Sequence, residues 1–376
     1  MMAIEDQWQP NWWLAWTVGA LLGLVPLHST AQSRKKLEKE IQKIIRFEPE
    51  VSVDRVLGYS IGILVGDSSY VFNYGFRDRI GGAAVDATTR FEIGGLSKVF
   101  TATLVEVLVA EELLHPDSSL HHYLPPICHN PALAQLRLID LIGHRSGFPK
   151  TPPDFALHQT QLDNPYAHYR KTELLDYYRH YAPPAEQRAY HYSHLNYALL
   201  EVICELVTQQ DFGSLMEEKL LGPLGLTQSS FGVEGNLAQG HRINGQAVAP
   251  WTFRAFAAAE GLKSSMQDLL RFIRLHLDGT ELEWDSLLAG TREKITPTDY
   301  SKWVSAAGGW HVIERKRFPP TIAHTGSTSG CRAFAAFVPA TRTAVVILTN
   351  SGESTGGLGY HLLRMLNHNW KIKKQK

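Results

Sequence analysis

Hydrophobic and polar positions change rhythm several times along the chain. Residues Trp12 to Leu27 form an apolar run with small residues at Ser29 and Ala31 just beyond it, the pattern of a secretory leader. The next stretch, "RKKLEKEIQKIIRF", sets Leu37, Ile41, Ile44 and Ile45 on one stripe, which predicts an amphipathic surface helix. Two β-rich runs, Val56 to Gly66 and Ser69 to Phe76, stand on either side of a short polar turn, and predict a hairpin. After Phe91 the apolar spacing shifts to three and four residues. It stays there through "SKVFTATLVEVLVAEELL", "RLIDLIGH", "TELLDYYRHYA", "YALLEVICELVTQ", "FGSLMEEKLLGPLGL" and "SMQDLLRFIRLHLDG", a long helical middle. Strand-type runs return at Gly308 to Lys316, Thr321 to Gly326, Cys331 to Pro339 and Thr343 to Asn350. Leu358, Leu362, Leu363 and Leu366 then mark a closing helix.

Two β-rich ends around an α-rich middle predict one sheet closed by both ends of the chain, with the helical region inserted as a second lobe and a cleft between them. The expected division places a leader or anchor at 1–31 and one domain at 32–376. Within that domain the sheet lobe takes about 50–110 and 300–376, and the helical lobe about 111–299.

Composition narrows the function classes. A hydrophobic share of 44% and a charged share of 20% are those of an ordinary globular protein. Lys plus Arg and Asp plus Glu are both 37, so no net field draws the chain to nucleic acid. The cysteines, Cys128, Cys204 and Cys331, are too few and too scattered for a disulfide framework. His121, His122, Cys128 and His129 gather in "HHYLPPICHN" without the spacing of a zinc site, and neither a metal nor a cofactor is expected. The Gly pair in "FRDRIGGAAV" lacks the following Lys-Ser or Lys-Thr of a phosphate loop and reads as a turn.

The apolar run at 12–27 admits two fates. Its shortness and Pro26 favour cleavage after Ala31. Glu5 and Asp6 before the run, and the positive "SRKK" after it, favour an uncleaved anchor and membrane attachment through residues 12–27. Either fate implies export to a periplasmic or extracellular location.

Seven ordered segments carry a family resemblance. "FEIGGLSKVFTATLV" from Phe91, "YSH" at Tyr192 to His194 and "HTGSTSG" from His324 resemble the S-x-x-K, Y-x-N and K-T-G or H-T-G motifs of the serine β-lactamases and penicillin-binding proteins, in the branch that includes class C-like enzymes, esterases and D-peptidases. "LIDLIGHRSGFP", "LLGPLGL", "EGLKSSMQDLLRF" and "FVPATRTAVVILTNS" are similar to its connecting segments. The resemblance spans roughly Ser52 to Asn369. It implies an α/β (α+β) fold of the β-lactamase/transpeptidase type, with an antiparallel sheet from both chain ends flanked by helices and an all-α lobe inserted.

It also implies roles. In such a site a Ser one helical turn before a Lys shares its face, so the amine can take the hydroxyl proton; a Tyr completes the proton path, and a small-residue strand offers backbone N–H groups to the oxyanion. Carried onto this chain, Lys98 takes the base position, Tyr192 the shuttle and His324 the polar group of the third motif. His194, Thr325, Gly326 and Ser327 fall on the substrate side, with Ser327 the strand's oxyanion donor. The nucleophile position holds Gly95. Loss of such a nucleophile costs about 10⁶-fold in turnover in serine hydrolases, so the implied acyl transfer, on D-peptides, β-lactams or small esters, is expected to be lost or weak. Ser97 is set about 200° around the helix from position 95 and faces away from it. The S-x-x-K at Ser33 to Lys36 lies in the charged stretch and reads as chance. His194 in place of the motif's Asn offers one donor and one acceptor on its ring instead of an amide's set.

Blander readings stand beside these. Lys98 and Tyr192 can be a buried polar pair without chemistry. "HTGSTSG" fits a strand lining a cleft, since small residues suit a backbone that approaches a ligand. The Tyr- and His-rich stretch from Tyr166 to Tyr192 reads as lid packing over the cleft or as a platform for a carbohydrate or peptide. A small-molecule or peptide acyl ligand, or a protein partner held by the old cleft, is the corresponding binding expectation.

Overall fold

The computed structural model describes residues 30–47, 57–78, 82–156, 163–183, 189–279, 282–316 and 318–368. The expected leader cleavage and the expected attachment through residues 12–27 lie outside these, and among the described residues no helix is long and apolar enough to cross a membrane.

The chain opens with helix α1 (Thr30–Phe47) and the hairpin β1 (Gly58–Val65) and β2 (Ser68–Gly75). Gly66 at φ 55° turns the hairpin, a conformation that costs glycine little. A short strand β3 (Arg90–Glu92) leads through a tight 3-10 turn at Gly94–Leu96 into α2 (Ser97–Ala110). The helical middle holds α3 (Leu138–Ile142), α4 (Lys171–His180), α5 (His194–Thr208), α6 (Phe212–Met216) and α7 (Ala257–Glu260). β4 (Lys263–Ser265), α8 (Met266–Asp278), α9 (Leu282–Gly290), β5 (Thr296–Pro297), β6 (Val304–Ala306) and β7 (His311–Ile313) follow. The chain then closes with β8 (Thr321–Ser327), β9 (Arg332–Val338), β10 (Thr343–Thr349) and α10 (Gly356–Leu366).

Eight strands form one sheet in the order β2-β1-β10-β9-β8-β7-β6-β5, and every pairing in it is antiparallel. The first hairpin joins the last strand through β1 and β10, with Tyr59 opposite Thr349 and Val65 opposite Thr343. Both chain ends thus build one sheet.

Side chains alternate across it. Tyr59, Ile61 and Ile63 of β1 with Val345 and Ile347 of β10 meet Leu37 and Ile41 of α1 and Leu358, Leu362 and Leu363 of α10. Leu64, Ala344, Val346 and Leu348 turn the other way, into the core shared with α2, α5 and α8. Period-two alternation over strands covered on both faces explains why these runs read as nearly continuous apolar stretches. α8 lies directly on β1 and β10: a Cβ on Gly62 would sit 2.3 Å from the Met266 sulfur, so that glycine lets the helix approach the strand.

The helical run from Phe212 breaks earlier than its apolar spacing predicts. α6 passes into a single π-turn at Glu217–Leu221, and Pro223, with no N–H to donate, ends it. A second sheet, β3 with β4, has three residues per strand, too few for a period to show in sequence.

Candidate functional site

The site grows from a close backbone contact. Gly326 of β8 lies so near the turn before α2 that a Cβ there would fall 1.6 Å from the Ile93 carbonyl oxygen. Gly94 answers from the other side: its φ is 49°, and a Cβ on it would lie 2.5 Å from the Ser327 nitrogen. Two glycines therefore let strand and turn touch backbone to backbone, which brings residues 94–98 beside residues 325–327.

Gly95 faces the convergence. A Cβ at this position would lie 3.1 Å from Tyr192 Oη, 3.3 Å from the Thr325 carbonyl oxygen and 3.4 Å from Glu260 Oε1. Its φ lies outside the left-handed region, so the backbone is one that any L-residue adopts. One helical turn on, Lys98 is fully buried, and its Nζ donates to Glu260 Oε1 at 2.7 Å and to the Ala259 carbonyl at 2.9 Å. The amine also lies 5.1 Å from the Tyr192 ring centroid and 5.7 Å from that of Tyr197, within cation–π range.

Tyr192 enters from the loop before α5, and His194 is the first residue of that helix. His194 Nδ1 lies 2.8 Å from Tyr166 Oη and 3.3 Å from Glu260 Oε1. Beneath Tyr192 sits His144, at φ 56°, its ring 4.6 Å from the Tyr192 ring and its Nδ1 accepting the Ser193 N–H at 3.1 Å. His144 thus fixes the segment that carries Tyr192. On the strand side, His324 stacks on His311 at 5.3 Å, and His311 Nε2 meets Tyr190 Oη at 3.2 Å. Thr325 and Ser327 are half-buried, on the strand whose other residues from Ile322 to Gly326 are buried.

All eight positions drawn from the sequence, Gly95, Lys98, Tyr192, His194, His324, Thr325, Gly326 and Ser327, therefore gather in one place. Ser97 does not join them: its Oγ accepts the Leu262 N–H at 3.0 Å, on the far side of the helix, as the 200° offset requires.

Burial dominates the electrostatics. It lowers the Lys98 pKa below the usual amine value, and the Glu260 carboxylate works against that shift. Burial, then the Glu260 charge, pushes the Tyr192 phenol well above its ordinary range. His144, His194 and His324 are held well below the usual imidazole value, first by burial and then by charges that include Lys98; His311 falls to about 4 for the same two reasons. At neutral pH the imidazoles and the phenol around the Lys98–Glu260 contact are neutral.

Glu260, His144, His311 and Tyr166 are the members that sequence reasoning missed. Glu260 had a signal of its own, as the one ionisable residue in "AFAAAEGL", since a carboxylate in an apolar run is buried only with a partner.

A model of the family described as "Beta-lactamase" matches residues 44–368. A β-lactamase of Providencia stuartii is 26% identical over 350 residues, covering 83% of this chain and 86% of that protein. Penicillin-binding protein 4 of Amycolatopsis lactamdurans is 25% identical over 331 residues, covering 82% and 85%. Among solved structures, a class C β-lactamase superposes with a TM-score of 0.77 at 22% identity, over 91% of this chain and 98% of that one. A β-lactamase/D-alanine carboxypeptidase from Pseudomonas syringae gives 0.75 at 23% identity, over 89% and 98%. At those identities the structural likeness shows the fold, and the fold has the expected antiparallel sheet flanked by helices.

Proposed function

The chain belongs to the β-lactamase family, and from that premise we propose that it is a serine-hydrolase homologue whose covalent acyl-transfer step is lost or severely weakened, while its cleft retains the means to hold an acyl ligand. The observation that supports this reading is the position of Gly95: a tyrosine hydroxyl, a strand carbonyl and the Glu260 carboxylate that holds the base-position amine converge on a residue with no atom to attack with. The neighbouring hydroxyl of Ser97 is committed to the Leu262 N–H. Acyl transfer needs a bond from a side-chain oxygen to the substrate carbonyl carbon. What remains without it is binding and hydrogen-bond donation from backbone N–H groups, worth on the order of 10³-fold over water in comparable sites.

A second reading follows from the same geometry. Thr325, Ser327 and Tyr192 stay half-buried beside a fully buried interior, a surface suited to recognising a cell-wall peptide, a small acyl compound or a protein partner without chemistry. Export through residues 1–31 belongs to the same proposal, and the N-terminal mass of the protein recovered from its host separates cleavage after Ala31 from a retained anchor.

Incubation with a fluorescent penicillin and a fluorophosphonate tests the main reading. The unaltered chain is expected to form no covalent band, and a stable band on it would refute the loss of acylation. Saturable binding of a muropeptide by calorimetry, with no turnover, would favour the recognition role.

A further inference from the structure

Gly95 accounts for the missing oxygen but leaves the neighbouring carboxylate unexplained. Glu260 ends the four-residue helix α7, its side chain 3% exposed, and its Oε1 reaches three parts of the site at once. It accepts from Lys98 at 2.7 Å, stands 3.3 Å from His194 Nδ1, and lies 3.4 Å from where a side chain on residue 95 would begin.

The contacts with Lys98 and with residue 95 oppose acyl transfer. A lysine that serves as base needs an unprotonated amine with its lone pair toward the nucleophile. Here Nζ directs its hydrogens to Glu260 and the Ala259 carbonyl, and a carboxylate at contact distance favours the protonated amine. Acyl transfer also builds negative charge on the substrate carbonyl oxygen, and a buried carboxylate beside residue 95 repels that charge in a medium that screens it poorly.

Resting on the reading that acylation is lost, we propose that Glu260 silences the site a second time, independently of Gly95, by occupying Lys98 and by placing negative charge against the reacting face. Restoring the hydroxyl alone is then insufficient. In a chain carrying Gly95→Ser the new oxygen would bond to the β-lactam carbonyl carbon and the C–N bond would break. The hydroxyl proton would pass to Lys98 and on to the departing nitrogen. Glu260 hinders both the first proton transfer and the charge that accompanies bond formation.

The test compares second-order rate constants for labelling by a fluorescent penicillin in four proteins: the unaltered chain, Gly95→Ser, and Gly95→Ser combined with Glu260→Gln or with Glu260→Ala, each with its thermal melt. Glutamine keeps the shape and removes the charge, and alanine serves if glutamine impairs folding. The double variants are expected to label about 10²-fold faster than Gly95→Ser alone. Equal rates in the single and double variants would overturn the inference and leave Gly95 as the sole block. Slower labelling in the doubles would also overturn it, by showing that Glu260 assists a restored hydroxyl. So would no labelling in a double variant that melts cooperatively. Labelling of the unaltered chain would instead sink the prior reading of lost acylation.

Discussion

Single residues set the chemistry of this site, and Lys98 shows how. An amine with no solvent exposure is stable only because Glu260 and the Ala259 carbonyl take its hydrogens. Removing one partner of such a pair strands a buried charge, at a cost of about 3–5 kcal/mol, whereas replacing both with apolar groups of similar size is often neutral. Lys98→Met should therefore destabilise the fold by about that amount, and adding Glu260→Leu should recover most of the loss. Urea denaturation of the two singles and the double measures this coupling. Simple additivity of the two losses would show that the pair is not a unit.

At the scale of elements, the site depends on how β8 meets the turn before α2. Hydrophobic period and turn residues made most of these elements legible: the β1–β2 hairpin, α2, α5, β8 to β10 and α10 coincide with the runs that predict them to within a few residues, α5 beginning three residues early at His194. Shorter pieces were not legible. β3, β4 and β6 span three residues each, less than two periods of a strand, and their pairing is decided by distant partners. α7 is a single turn whose four residues cannot show a helical stripe. The backbone contact itself makes a sharp prediction. Gly326→Ala would push a methyl group into the Ile93 carbonyl, and neither side is a flexible side chain that can move away. The expected result is a loss of about 3 kcal/mol in stability, read as a lowered melting temperature. Wild-type stability in this variant would mean that strand and turn are not in contact.

Across the whole molecule, buried histidines tie stability to pH. His144, His194, His276 and His324 are held well below the ordinary imidazole value, and His311 falls to about 4, in every case chiefly by burial. In the unfolded chain each titrates near pH ~6.5. Below that pH the unfolded state binds protons that the folded state refuses, so stability falls as pH drops from about 6.5 towards 4, by up to about 1.4 kcal/mol per pH unit for each histidine. Above pH 7 both states are neutral at these rings and the contribution is constant. Thermal melts at pH 7.5, 6 and 5 should show a progressive fall, and a flat profile over that range would mean that these rings protonate in the folded state.

The sequence by itself determined the covalent facts and the local ones: a glycine at position 95, a lysine one turn later, the small residues of the His324 strand, and the apolar periods that make strands at both ends and helices between. These are properties of neighbours along the chain, and spacing expresses them directly. Only the tertiary structure decided that Glu260, 162 residues from Lys98, would neutralise it, that His144 would support Tyr192 from below, and that α8 would lie on the sheet formed by the two ends. Such pairings depend on which buried polar groups find each other when the layers close, and burial is a property of the folded molecule, written in no single segment of it.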